Sequence, residues 1–152
     1  MGVDELRDCD PVTTNKDLDI EIAYDGVTRL DPNAPAYPCG LVAKSYFNDT
    51  IDLFKILNGT EGGRYVEHIK IFDDDIAWLT DVKYKFKNID YPNWKSIQWM
   101  DVEDKHFIVW MRTAGLPNFR KLFGVIKEDI QPGMYQLDIT NNYDVSSFGG
   151  VK

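Results

Sequence analysis

The sequence lacks the residues that most kinds of active site need. It has two histidines, His68 and His106, and neither has a second Cys or His at the spacing of a metal-binding motif. It has no Gly-x-Ser-x-Gly motif, and its few serines lie in no context typical of a catalytic triad. Carboxylates are numerous, but no pair is marked as buried. The sequence therefore predicts no enzyme, no metal site and no cofactor.

Positive charge and long apolar runs are also scarce. The chain has 17 Lys and Arg residues against 25 Asp and Glu residues, a net charge of -8. Nucleic acids and anionic membrane surfaces are bound by concentrated positive charge, so neither is expected as a partner. No stretch approaches the ~20 apolar residues of a membrane-spanning helix. Residues 1–8 lack the apolar centre of a signal peptide.

Four segments have the pattern of β-strands. Residues 65–71 and 81–87 alternate polar and apolar side chains, which predicts strands buried on one face. Residues 107–111 are continuously apolar and rich in β-branched and aromatic residues, which favours a central strand covered on both faces. Residues 134–140 alternate again. The 43% hydrophobic content is enough for one folded domain over residues 1–152.

Other segments predict helices and a loop. Apolar residues recur every three or four positions over 42–57, which indicates an amphipathic helix or, alternatively, two irregular helical turns. Pro117 can open a second helix that ends before Pro132. Residues 10–38 predict a long loop with one short strand near Leu18, Ile20 and Ile22. The predicted fold class is mainly β (α+β), an antiparallel β-sheet or sandwich with short helical insertions.

The most informative segment is residues 106–124, His-Phe-Ile-Val-Trp-Met-Arg-Thr-Ala-Gly-Leu-Pro-Asn-Phe-Arg-Lys-Leu-Phe-Gly. It resembles a signature of the cell division control protein fifty or ligand effect modulator family, the accessory β subunits of type IV P-type ATPases, the phospholipid flippases. Four further segments are similar to that family in the same order: Cys9-Asp10-Pro11 and residues 36–50, 76–88 and 133–152. The resemblance extends from Cys9 to Lys152.

The resemblance implies a non-catalytic accessory subunit. Its partner would be the catalytic α subunit of a type IV P-type ATPase, whose folding, export from the endoplasmic reticulum and lipid transport it would support. Family members carry a transmembrane helix at each end of an exoplasmic domain. The chain is therefore expected to be an exoplasmic, lumenal fragment of a glycosylated membrane protein of the endoplasmic reticulum, Golgi and plasma membrane. The flanking helices and the first ectodomain portion are expected to be absent.

The resemblance also implies particular sites. The family places a disulfide between the cysteines that Cys9 and Cys39 match; the alternative is two free thiols in a cytosolic domain. Asn48 and Asn58 begin Asn-x-Thr triplets that are acceptors for N-glycans. Asn48 matches an Asn-Asp-Thr that the family uses as a glycan acceptor, and the match of Asn58 is looser.

The tryptophans and two arginines are candidates for contact with other molecules. Trp94 and Trp99 flank a polar stretch, so they are predicted to be exposed and to form a partner interface. Trp110 lies in an apolar run and is predicted to be core. Arg112 and Arg120 either bind carboxylates of a partner or pair with the chain's own acids. The alternative function is a secreted carbohydrate-binding β-sandwich that uses Trp94 and Trp99.

Overall fold

The computed structural model describes residues 9–58 and 64–151, which divide into two compact units. The described part of the first unit comprises residues 9–46 and 77–121. That of the second comprises residues 47–76, without 59–63, and residues 122–151. Each unit combines segments that are distant in sequence. The single domain over residues 1–152 stays a prediction.

The second unit contains a three-stranded antiparallel sheet. Its strands lie in the order β2, β1, β3, and their bounds are Thr50–Asn58 for β1, Arg64–Ile69 for β2 and Met134–Thr140 for β3. The central strand places Leu53 opposite Ile69 on one side and Leu137 on the other. The strands predicted at residues 65–71 and 134–140 are confirmed as β2, which ends at Ile69, and β3. The buried face predicted for residues 65–71 is not, because Val66 is 54% exposed although Ile69 is buried. The mainly-β fold class with short helices is confirmed as well.

The first unit contains three short helices around two small groups of buried side chains. The helices are α1, Leu41–Lys44; α2, Leu79–Tyr84; and α3, Lys105–Met111. The larger group consists of Ala43, Met100, Val102 and Phe107. The smaller group consists of Val12, Leu18 and Ala36. In the described residues, no helix is both long and apolar enough to cross a membrane.

The predicted helix over residues 42–57 was wrong. α1 ends at Lys44, and the backbone is extended from Thr50. The apolar residues of this segment also alternate at Ile51, Leu53 and Leu57. Pairing with strands on both sides satisfies the backbone hydrogen-bonding groups of this segment, so tertiary context overrides the weaker helical period.

The strands predicted at residues 81–87 and 107–111 were wrong: residues 81–84 belong to α2, residues 85–87 form no regular secondary structure, and residues 107–111 belong to α3. In α2, Asp81 is buried, and its carboxylate lies 2.7 Å from the Lys85 ammonium one turn later. In α3, the Asp104 carboxylate caps the helix by accepting the Phe107 amide hydrogen at 2.8 Å. A short apolar run does not distinguish a buried strand from a buried helix, and the capping aspartate decides this case.

The helix predicted after Pro117 was also wrong, because residues 113–124 adopt no regular secondary structure. Phe119 and Leu122 remain at least half exposed, so the apolar face of such a helix has no core to pack against. In the second unit, Gly124 contacts the Ile71 side chain so closely that a β-carbon there would clash. Val125 then pairs with Phe72 in an isolated bridge.

The loop at residues 10–38 holds less regular structure than predicted. A 3-10 turn covers Asn15–Leu18, and Ile22 forms only an isolated bridge with Arg29. The turn is fixed by Asp17, whose carboxylate accepts hydrogen bonds from the backbone and hydroxyl groups of Thr14. These hydrogen bonds hold the pKa of Asp17 below its ordinary value.

Candidate partner interface

A groove lies beside the end of α3 in the first unit. It has a volume of about 470 Å³. It is lined by Val42 and by residues 111–117, 119 and 121, which belong to residues 106–124, the signature segment. We call it the signature groove. Leu116 and Phe119 are 73% and 57% exposed. Exposed apolar and aromatic side chains in a concave surface are typical of a contact site for another molecule.

The position of the groove follows from the way α3 is anchored. Asp104 caps the helix, and its carboxylate also accepts a hydrogen bond of 3.3 Å from the Tyr46 hydroxyl. Phe107 and Ile108 are thereby held in the core, almost without exposed surface. Partial burial and the negative charge of Asp104 raise the pKa of Tyr46. Arg112, which ends the helix in an extended conformation, then lies at the groove.

Arg112 lies over an exposed aromatic ring. Its guanidinium carbon is 3.2 Å from the centre of the Trp78 ring, and Trp78 is 58% exposed. A stacked guanidinium of this kind contributes about 0.5–1 kcal/mol at an exposed site. Within residues 9–58 and 64–151, no carboxylate forms an ion pair with Arg112. The alternative that Arg112 pairs with the chain's own acids is therefore wrong for the described residues.

A second cation, Lys121, lies at the same groove. Its ammonium group donates a hydrogen bond to the Trp110 carbonyl and is 4.9 Å from the centre of the Trp110 ring and 5.7 Å from that of Phe119. Desolvation by burial and the positive charge of Arg112 lower the pKa of Lys121. The groove therefore holds two cations close enough to influence each other.

Trp110 links the core to the groove and is not fully buried. Its indole nitrogen donates a hydrogen bond of 2.8 Å to the Val42 carbonyl. Its side chain is partly exposed, whereas Phe107, Ile108 and Val109 before it are buried. The prediction that Trp110 is a core residue therefore holds only in part.

Trp94 and Trp99 are each only partly exposed, so the prediction of an exposed pair was wrong, while their place in a partner interface stays a prediction. Trp99 packs against both groups of buried side chains, and its indole nitrogen donates a hydrogen bond of 2.7 Å to the Pro38 carbonyl. Trp94 is partly buried and stacks on Tyr24 at 5.4 Å between ring centres. Because both rings are only partly exposed, they do not provide the fully exposed platform that the carbohydrate-binding alternative requires.

Cys9 and Cys39 are joined by a disulfide bond in the first unit. Two backbone hydrogen bonds of 2.9 Å surround it, from Val12 to Cys9 and from Gly40 to Val12. Cys39 also packs against the group of buried side chains that includes Val12. The bond therefore ties the beginning of the described chain to the segment that enters α1.

Asn48 is exposed in the second unit, where a glycan would be accessible. The backbone around it is fixed, since the buried Asp49 carboxylate accepts hydrogen bonds of 2.8 and 2.7 Å from the amides of Asn142 and Tyr143. Asn58 is the last residue of β1, and its side chain lies outside what the structure describes, as do Gly59 and Thr60. Sequence reasoning did not identify Asp49, whose burial gave no local signal.

Comparison with known proteins gives relatives in animals and plants. Cell cycle control protein 50A of Bos taurus is 38% identical over 152 residues, which cover 82% of this chain and 41% of that protein. Cell cycle control protein 50B of Homo sapiens is 36% identical over 152 residues, which cover 82% of this chain and 42% of that protein. Putative ALA-interacting subunit 2 of Arabidopsis thaliana is 38% identical over 132 residues, with 78% and 35% covered. The chain spans less than half the length of these relatives.

A family-level comparison covers more of the sequence. Residues 2–152 match the family described as LEM3 (ligand-effect modulator 3) family / CDC50 family. This match confirms the resemblance that the signature segment and the four other segments indicated. Because it includes nearly every residue of the sequence, the chain belongs to the LEM3/CDC50 family.

Proposed function

We propose that this chain is part of a non-catalytic accessory β subunit of a phospholipid-translocating type IV P-type ATPase. The observation that carries the proposal is membership of the LEM3/CDC50 family. The name ALA-interacting subunit, which the Arabidopsis relatives bear, supports a role as one subunit of a complex. In this proposal the catalytic α subunit hydrolyses ATP and moves the lipid, and the present chain performs no chemistry.

The accessory subunit would act through differential binding. A subunit that binds one conformation of the α subunit about tenfold more tightly than another shifts the ratio of the two by the same factor. Binding to the folded α subunit would also stabilise it against unfolding, by mass action. We propose that these two effects support folding, export from the endoplasmic reticulum and lipid transport.

We place the chain on the exoplasmic, lumenal side of the endoplasmic reticulum, Golgi and plasma membrane. The membrane helices of the subunit would lie outside the present chain. The disulfide between Cys9 and Cys39 supports this location, because such bonds persist in oxidising compartments. The exposed position of Asn48 supports its use as a glycan acceptor, and Asn58 is proposed as a second acceptor.

We propose that the contact with the α subunit includes the first unit. The signature groove supports this, because it exposes aromatic and apolar side chains beside an arginine, the composition favoured at interface centres. Trp94 remains a candidate contact through the edge of its stack with Tyr24, which is 48% exposed. Trp99 is partly exposed and stays a second candidate contact, besides its packing against the buried groups.

The test of the function is copurification. The full-length protein is coexpressed with a type IV P-type ATPase α subunit, and the amount of α subunit that leaves the endoplasmic reticulum is measured with and without it. The proposal expects a stable complex and a severalfold loss of exported α subunit when the accessory protein is absent. An α subunit that is exported and moves phospholipid equally well without it would contradict the proposal.

The glycan is tested separately. Asn48→Gln in the full-length protein, made in a eukaryotic secretory pathway, is expected to increase gel mobility and to remove one glycopeptide. Asn33→Gln is the matched control, since Asn33 is exposed in the structure but begins no Asn-x-Thr or Asn-x-Ser triplet. Unchanged mobility and an unchanged glycopeptide map for Asn48→Gln would refute the assignment.

A further inference from the structure

We propose that the signature groove binds an acidic segment of the catalytic α subunit, with a carboxylate held between Arg112 and Lys121 and a neighbouring apolar side chain against Leu116 and Phe119. This inference rests on the proposed function and assigns the contact to particular residues. The occupant is defined by its chemistry, a carboxylate beside an apolar group on an exposed loop.

Arg112 has unused capacity to donate hydrogen bonds. Its guanidinium stacks on Trp78 through its face, which leaves the N–H groups at the edge of the plane free to donate. No residue among 9–58 and 64–151 accepts a hydrogen bond from the Arg112 side chain. A planar, stacked guanidinium with free edge donors is suited to bidentate binding of a carboxylate.

A second cation, Lys121, lines the same groove. Lys121 uses one donor for the Trp110 carbonyl, and its ammonium group has two further N–H groups. The groove lining contains Arg112 and Lys121 but no aspartate or glutamate. An anion between the two cations would offset the burial and the positive charge of Arg112, which together lower the pKa of Lys121.

The charge and apolar surface of the groove are complementary to a protein segment. The chain as a whole carries a net charge of -8, which disfavours contact with an anionic membrane surface. The groove differs from the chain as a whole, because its lining is positively charged and includes exposed apolar surface. Arginine and aromatic residues together are enriched where proteins bind each other most tightly. A carboxylate on a protein loop fits these features better than a membrane surface does.

The experiment uses the full-length protein coexpressed with its α subunit. Arg112→Gln, Lys121→Gln and the double variant are each measured for affinity to the α subunit in detergent. Each single variant is expected to bind about tenfold more weakly, and the double variant more weakly still. Raising the salt concentration should weaken wild-type binding and affect the double variant less.

Two control variants match the substitutions. Lys83→Gln removes a lysine that also lies over an exposed ring, at 5.1 Å from the centre of Tyr84. Arg29→Gln removes an exposed arginine that is paired with Glu21 at 2.8 Å. Both are expected to bind the α subunit like wild type. Arg112→Lys keeps the charge but not the planar donors, so its affinity for the α subunit is expected to lie between those of Arg112→Gln and wild type. Thermal melts of all variants identify any loss that comes from misfolding.

The outcomes distinguish a failure of the groove assignment from a failure of the proposed function. If wild type binds the α subunit and the well-folded groove variants bind within about twofold of it, the groove assignment is overturned and the proposed function stands. If wild type binds no α subunit, both fail. If the double variant keeps the α subunit but loses binding of a water-soluble short-chain phosphatidylserine, the anion is a lipid phosphate and the assignment to a protein segment is overturned.

Discussion

The two halves of the signature segment, residues 106–112 and 113–124, differ in how far their side chains are buried. In the first half, Phe107, Ile108 and Val109 are buried and α3 is capped by Asp104. In the second half, residues 113–120 are all exposed and form no regular secondary structure. Both halves lie within the residues that match the family. A single run of matching residues therefore combines a buried part that stabilises the fold with an exposed part that is available to contact another molecule.

The largest expected effect is on the buried half. Phe107→Ala removes a fully buried ring from the group formed with Ala43, Met100 and Val102, so it should lower the free energy of unfolding by about 3–5 kcal/mol. Phe119→Ala, the same substitution in the exposed half, should change it by less than about 0.5 kcal/mol. Urea unfolding of both variants measures the difference. Equal losses would remove the distinction between the halves.

The disulfide should have an effect nearly as large. Replacing Cys9 and Cys39 by serine opens a loop with a sequence separation of 30 residues and should cost about 3–4 kcal/mol through the entropy of the unfolded chain. The chain should show no alkylated thiols before reduction and two after it, by intact mass. Two thiols that react without reductant in folded protein would contradict the bond.

Trp110 lies at the boundary between the halves, so an intermediate effect is expected. Trp110→Ala should lower the free energy of unfolding by about 2–3 kcal/mol. This is less than the loss for a fully buried aromatic ring, because the Trp110 side chain is partly exposed. Trp110→Phe keeps most of the apolar contact but loses the hydrogen bond to Val42, and should cost about 1 kcal/mol. Denaturant unfolding distinguishes these values. A loss as large as that of Phe107→Ala would move Trp110 into the core.

The smallest expected effect is a change in pH dependence. The fold raises the pKa of Tyr46 above its ordinary value of 10.0 through burial and the charge of Asp104, so the folded state favours the neutral phenol. The resulting stability is complete below about pH 10 and is lost as the pH rises further. Tyr46→Phe should therefore lose less stability above pH 10 than wild type. If wild type and Tyr46→Phe lost stability equally above pH 10, the raised pKa of Tyr46 would be contradicted.

Sequence patterns predicted the sheet better than the helices. The alternation in residues 65–71 and 134–140 gave β2 and β3, because successive side chains of an extended strand point to opposite faces and so give a period of two. The buried run at residues 107–111 has no period, so it was consistent with either structure. Asp104, three residues before Phe107, was the available signal for a helix.

The candidate site was harder to predict, because it depends on tertiary neighbours. Arg112 was identified from sequence as a residue that could bind carboxylates, but its position over Trp78 joins residues 34 apart in sequence. Trp99 was predicted to be exposed because its local sequence is polar. Its burial depends on Pro38 and on side chains near Val12 and Ala43, which no local pattern indicates.

Hydrogen exchange tests the distinction between the halves most directly. Backbone amide exchange of the full-length protein is compared between the free form and its complex with the α subunit. Residues 107–109 should be protected in both, since they are buried in α3, and the amides of residues 113–121 should exchange rapidly when free and slow in the complex. Exchange in residues 113–121 that is unchanged by a bound α subunit would contradict the account.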